Sequence, residues 1–107
     1  RFGPRDDWFV AGAADALCGS PYQLTTRSNR VGARLAGEPI VRANAAELPS
    51  EGLVLGAVQI TPDGSPIVFL ADHPTTGGYP VIGVVNRAAV AALAQVRPGA
   101  PVRFHPV

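Results

Sequence analysis

Leu53 to Ile60 is a nearly continuous apolar run, LVLGAVQI. A run of that length suits a strand buried on both faces. Thr61-Pro62-Asp63-Gly64-Ser65 follows it. Proline presets a turn, aspartate bonds back to nearby main chain and glycine takes positive φ, so these residues predict a hairpin loop. Pro66 to Ala71, PIVFLA, returns as the partner strand. The chain then breaks into Asp72-His73-Pro74-Thr75-Thr76-Gly77-Gly78-Tyr79-Pro80. Two hydroxyls and two glycines behind a strand end make a loop that a ligand can approach closely.

Shorter elements surround that hairpin. Phe9, Ala13 and Leu17 fall at four-residue spacing and predict a short helix, capped by Asp6 or Asp7 and stopped by Gly19-Ser20-Pro21. Tyr22, Leu24 and Thr26 alternate as in a half-buried strand, and Arg27 to Arg30 reads as a turn or bulge. Strands are expected at Val31 to Leu35, Ile40 to Arg42, Val81 to Val85 and Val102 to Phe104, with a loop from Asn44 to Gly52. Asn86 suits an N-cap, and Ala88 to Val96 supplies helix formers with Val90, Leu93 and Ala94 on one side. Many short strands with one or two short helices predict a mainly β domain; the pattern leaves barrel and sandwich both open.

The 107 residues are one domain's worth, 1–107, and 47% are hydrophobic. Charged residues are only 16% and the net charge is +1, so the electrostatic footprint of a nucleic-acid binder is missing. All nine basic residues are arginine. Cys18 is alone, which gives no sign of an oxidising compartment, and the expected location is cytoplasmic. His73 and His105 are the only histidines, and no metal-ligand spacing is present. No segment approaches the roughly 18 apolar residues that a membrane span needs.

Several residues are candidates for chemistry. Thr75, Thr76, Gly77, Gly78 and Tyr79 make a cradle for a carboxylate, carbamate or phosphate, or else a tight turn between strands. Asp72, at the strand end, is a general base or a turn former. Gln59 interrupts an apolar strand, so its amide either bonds the facing loop or points into a cleft. Arg27, Arg30 and Arg34 form a local basic group whose forks suit planar anions; on one strand Arg30 and Arg34 would share a face. Arg5 with Asp6, and Glu51 in Ser50-Glu51-Gly52, are each either site residues or structural ones.

GAVQITPDGSPIVFLAD followed by TTGGYP, with RFGPRDDWF at the start and SNRVGARLAG between, resembles the C-terminal part of the KipA family. That family is also called allophanate hydrolase subunit 2, the 5-oxoprolinase C-type component or biotin-dependent carboxyltransferase-like. Its members are far longer than this chain. The resemblance implies a cyclophilin-like β-barrel, without implying prolyl isomerase activity. The candidate substrate contacts are then Thr75, Thr76, Gly77, Gly78, Tyr79, Gln59, Asn29, Arg30, Arg5 and Glu51, with Asp72 as the candidate catalytic residue. Pro74 departs from the family pattern, where glutamine commonly precedes TTGGYP; the change removes an amide and stiffens the loop.

The implied activity is that of a hydrolase, an ATP-dependent 5-oxoprolinase, inactive without a KipI-like subunit, the counterpart of allophanate hydrolase subunit 1. A second implied activity is carboxyl transfer, as in urea carboxylase. Because the chain has no lysine, any carboxybiotin arm must come from another protein. A third is non-catalytic control of a kinase-inhibitor partner.

Overall fold

The computed structural model describes residues 9, 12–41 and 51–105. In chain order the elements are α1 (Ala13–Gly19), β1 (Tyr22–Leu24), β2 (Gly32–Gly37), β3 (Glu51–Gly52), β4 (Ala57–Ile60), β5 (Pro66–Phe69), β6 (Thr76–Gly77), β7 (Val81–Val84), α2 (Arg87–Leu93) and β8 (Pro101–Val102). Six strands form one antiparallel sheet in the order β7-β4-β5-β2-β1-β8, and β3 pairs with β6 as a separate two-stranded ladder. The mainly β expectation, with two short helices, holds.

Strand parity divides the apolar residues between two faces of the sheet. Val58, Ile60, Val68, Ala33, Leu35 and Ile82 join Ala13 and Leu17 of α1 and Val90 of α2 in the larger core. Ala57, Ile67 and Phe69 form a smaller cluster with Leu53, and Val81 packs against it. The β4–β5 hairpin is therefore buried on both faces, as its unbroken apolar runs predict. The candidate site lies over the smaller cluster.

Local chemistry explains where the elements begin and end. The apolar run from Leu53 does not enter β4 until Ala57, because Gly56 sits at φ 84°. There it donates to Phe69 O at 2.9 Å and accepts from Val85 N at 2.8 Å. A Cβ at that position would run into Val85 O, so only glycine makes this turn. In the hairpin loop Gly64 takes φ 87° and donates to Thr61 O at 2.9 Å. Asn86 caps α2 as expected, its side chain accepting from Ala89 N at 2.8 Å.

Other boundaries differ from those the sequence predicts. The N-cap of α1 is Gly12, with no side-chain cap; Asp6 and Asp7 lie outside the described residues. Phe9 is buried against α1 but precedes the helix. Ile40 is buried without belonging to a strand, and its N–H goes to Gly64 O at 2.9 Å. Glu51–Gly52 is strand and not loop, because its partner is the distant Thr76–Gly77. Closing strand β8 is Pro101–Val102, and Phe104 beyond it meets Tyr22 edge-on, ring centroids 5.8 Å apart.

Candidate functional site

After β5 the chain is tied to the turn before β2. Leu70 N donates to Val31 O and Asp72 N to Arg30 O, each at 3.0 Å. Arg30 Nε lies 3.5 Å from Asp72 Oδ2, so the candidate base has a guanidinium beside it. Both side chains are exposed, and such pairs are worth about 0–1 kcal/mol. The pair therefore adds little to the stability of the fold. His73, outside the family motif, follows directly. Its Nδ1–H donates to Pro74 O at 2.6 Å and its ring stands edge-on to Phe69.

The motif itself is braced from below. Leu53 N donates to Thr75 O at 2.9 Å, and the ladder pairs Gly52 with Thr76 and Glu51 with Gly77. Gln59 is only 4% exposed and its Nε2 donates to Tyr79 O at 3.3 Å. Of the two roles open to Gln59, the amide bonds the facing loop. Gly77 lies so close above it that a Cβ would fall 2.8 Å from Gln59 Nε2 and 2.9 Å from Leu53 Cδ1. Neither Gly77 nor Gly78 has positive φ, so Gly77 is required for close approach and not for its dihedral freedom. Ile60 N then donates to Pro80 O at 3.0 Å, and a bulge between Val58 and Gln59 re-aims β7 as the chain leaves the loop.

This bracing turns the polar groups outward. Thr75, Thr76 and Tyr79 are exposed, and Gly77 and Gly78 are half-buried. The ladder uses main-chain groups of Thr76–Gly77, residues whose types alone suggest an open bend. The N–H groups of Gly78 and Tyr79 find no acceptor among the described residues. Two hydroxyls and two successive N–H groups on a fixed support can bind a carboxylate or polarise a carbonyl oxygen.

The remaining candidates separate. Asn29 Oδ1 accepts from Val31 N at 2.9 Å and Gly32 N at 3.2 Å, so its side chain closes the turn before β2. Asn29 and Arg30 rim a largely apolar cavity of about 450 Å³ between that turn and the C-terminal end of α2. Arg34 stands within β2, away from Arg30, because the strand does not begin until Gly32. Glu51 joins the site through its main chain. Arg5 lies outside the described residues. No cluster of three or more potential metal ligands occurs among the described residues, and no helix there is long and apolar enough to cross a membrane.

The family model for the carboxyltransferase domain, subdomain A and B, matches residues 1–106. The chain belongs to the carboxyltransferase domain family. This agrees with the resemblance carried by TTGGYP. The chain is 43% identical over 102 residues to the C component of 5-oxoprolinase from Escherichia coli K12, covering 95% of this chain and 33% of that protein. It is 30% identical over 110 residues to urea amidolyase of Saccharomyces cerevisiae, covering 94% of this chain and 6% of that one. The crystal structure of Kluyveromyces lactis urea carboxylase superposes with a TM-score of 0.90 at 26% identity, over 99% of this chain and 10% of that one. This carboxyltransferase domain chain thus spans about a third of the length of its Escherichia coli relative.

Proposed function

We propose that this carboxyltransferase domain serves an ATP-dependent 5-oxoprolinase, which opens the cyclic amide 5-oxoproline to glutamate together with a KipI-like subunit. The observation that carries the reading is the 43% identity to a 5-oxoprolinase component over 95% of the chain, against 30% to urea amidolyase. The geometry is compatible with it. 5-Oxoproline offers a carboxylate and a lactam carbonyl, both acceptors, and the loop offers the Thr75 and Thr76 hydroxyls and the Gly78 and Tyr79 N–H groups. In this reading Asp72, which has the Arg30 guanidinium beside it, accepts a proton from the lactam nitrogen. ATP, bound in the complex, supplies the phosphoryl group that activates the lactam carbonyl. The chain's own residues bind and orient the ring.

The test is 5-oxoproline-dependent ATP turnover by the full-length protein, alone and with its KipI-like partner. Turnover is expected only with the partner. No turnover under either condition counts against the reading.

Carboxyl transfer is the second reading, favoured by the TM-score of 0.90 to a urea carboxylase. The carboxyl donor would then be a carboxybiotin arm from another protein. Co-purification with a biotinylated protein, and urea-dependent consumption of its carboxyl group, supports this reading over the first.

A further inference from the structure

A second polar site lies on the same face of the sheet, separate from the TTGGYP loop. Ile67 pairs with Gln59 on one side and with Arg34 on the other. Arg34 shares the parity of Gly32, where a Cβ would touch Ile67 and Phe69 of the smaller cluster. Arg34 is thus displaced from Gln59 by two inter-strand spacings, about 9.5 Å. Beside it is a cavity of about 430 Å³, bordered by Thr25, Arg27, Arg34, Thr61, Asp63 and Ser65. That volume falls in the usual range for small-ligand sites, roughly 300–1,000 Å³.

The main chain around the cavity is pinned, whereas its guanidinium groups make no hydrogen bond or ion pair among the described residues. Thr25 N donates to Arg34 O at 2.9 Å, and Arg34 N donates to Ser28 Oγ at 2.9 Å. Arg27 N donates to Thr25 Oγ1 at 3.3 Å. Asp63 Oδ1 is occupied within its own turn, accepting from the Thr61 hydroxyl and, at 3.3 Å, from Ser65 N, while Oδ2 accepts no hydrogen bond among the described residues. Neither Arg27 nor Arg34 lies within ion-pair distance of a carboxylate among the described residues, unlike Arg30. Two permanently charged arginines and the Asp63 carboxylate therefore border one cavity, with neither arginine ion-paired to a carboxylate among the described residues, and a guanidinium fork matches a planar or tetrahedral oxyanion.

We propose that the Arg27–Arg34 cavity is an oxyanion-binding site that takes the phosphate or carboxylate group of a small molecule. The guanidinium groups of Arg27 and Arg34 bind the anion. Asp63 at the rim accepts from a hydroxyl or N–H on the ligand, which favours anions carrying such a donor. This assignment does not depend on the 5-oxoprolinase reading, because it concerns binding at different residues.

The test uses two probes, inorganic phosphate and acetate, titrated into the full-length protein and followed by amide and arginine side-chain NMR shifts. Saturable shifts centred on Thr25, Arg27, Arg34 and Ser65 are expected for at least one probe; tighter phosphate binding assigns a phosphoryl ligand, tighter acetate binding a carboxylate. Arg34→Gln and Arg27→Gln should each weaken binding about 10-fold, the scale of one charge-assisted hydrogen bond. Arg97→Gln, at an exposed arginine outside the cavity, should leave it unchanged. Thermal melts establish that each variant is folded. Absence of saturation with both probes overturns the assignment, as does an equal response in folded Arg34→Gln, Arg27→Gln and Arg97→Gln.

Discussion

The carboxamide of Gln59, buried in β4, donates to the main-chain oxygen of Tyr79 at 3.3 Å. One side chain thereby couples a strand embedded in the sheet to the loop that carries the exposed hydroxyls. Gln59→Leu keeps the volume and removes the donor, leaving Tyr79 O without this bond. The expected cost is about 1–3 kcal/mol. Urea unfolding should show a lowered midpoint with an unchanged slope.

Gly77→Ala tests the contact above that amide. The added methyl meets Gln59 Nε2 and Leu53 Cδ1 at 2.8 and 2.9 Å, and both side chains are buried. Overpacking of this kind costs about 1–3 kcal/mol. Combining it with Gln59→Ala relieves half of the clash, so the double variant should unfold more easily than wild type but by less than the two single effects added together. Strict additivity would show that Gly77 and Gln59 do not touch.

Tyr22 sets an alkaline limit. Burial, with smaller contributions from Cys18 and Glu38, pushes its hydroxyl above the ordinary 10.0. The phenol ionises first in the unfolded chain, so the unfolded state sheds protons while the folded state retains them. Stability from Tyr22 is fully present below pH 10.0 and is lost as pH rises through 10.0 towards the raised folded value. Tyr22→Phe removes this dependence and loses only a long contact to Glu38 O, at 3.5 Å. Melting temperature against pH should therefore fall less steeply above pH 10.0 in Tyr22→Phe than in wild type.

Legibility in the sequence depends on whether the relevant contacts are local. The β4–β5 hairpin, its Thr61–Ser65 turn and the Asn86 cap rest on neighbours in the chain, and they are legible. Gln59 is legible as a polar break in an apolar strand, although only the structure shows which of its two roles it takes. The β3–β6 ladder is not legible, because two-residue strands of glycine, threonine and glutamate pair across about 25 residues of sequence with no β signal of their own. Spacing alone groups the arginines. The Asn29 turn delays β2 to Gly32 and separates them, sending Arg30 to Asp72 and Arg34 to a different cavity.

The central claim is that the exposed Thr75 and Thr76 hydroxyls contact the substrate. Its most direct test is kcat/KM for 5-oxoproline-dependent ATP hydrolysis by the partnered, full-length Thr75→Ala/Thr76→Ala variant. Both side chains are exposed, so the melting temperature should hardly move. The predicted result is a loss of about 10- to 100-fold, the worth of one or two hydroxyl hydrogen bonds in the transition state. Wild-type kcat/KM in a folded double variant would contradict it.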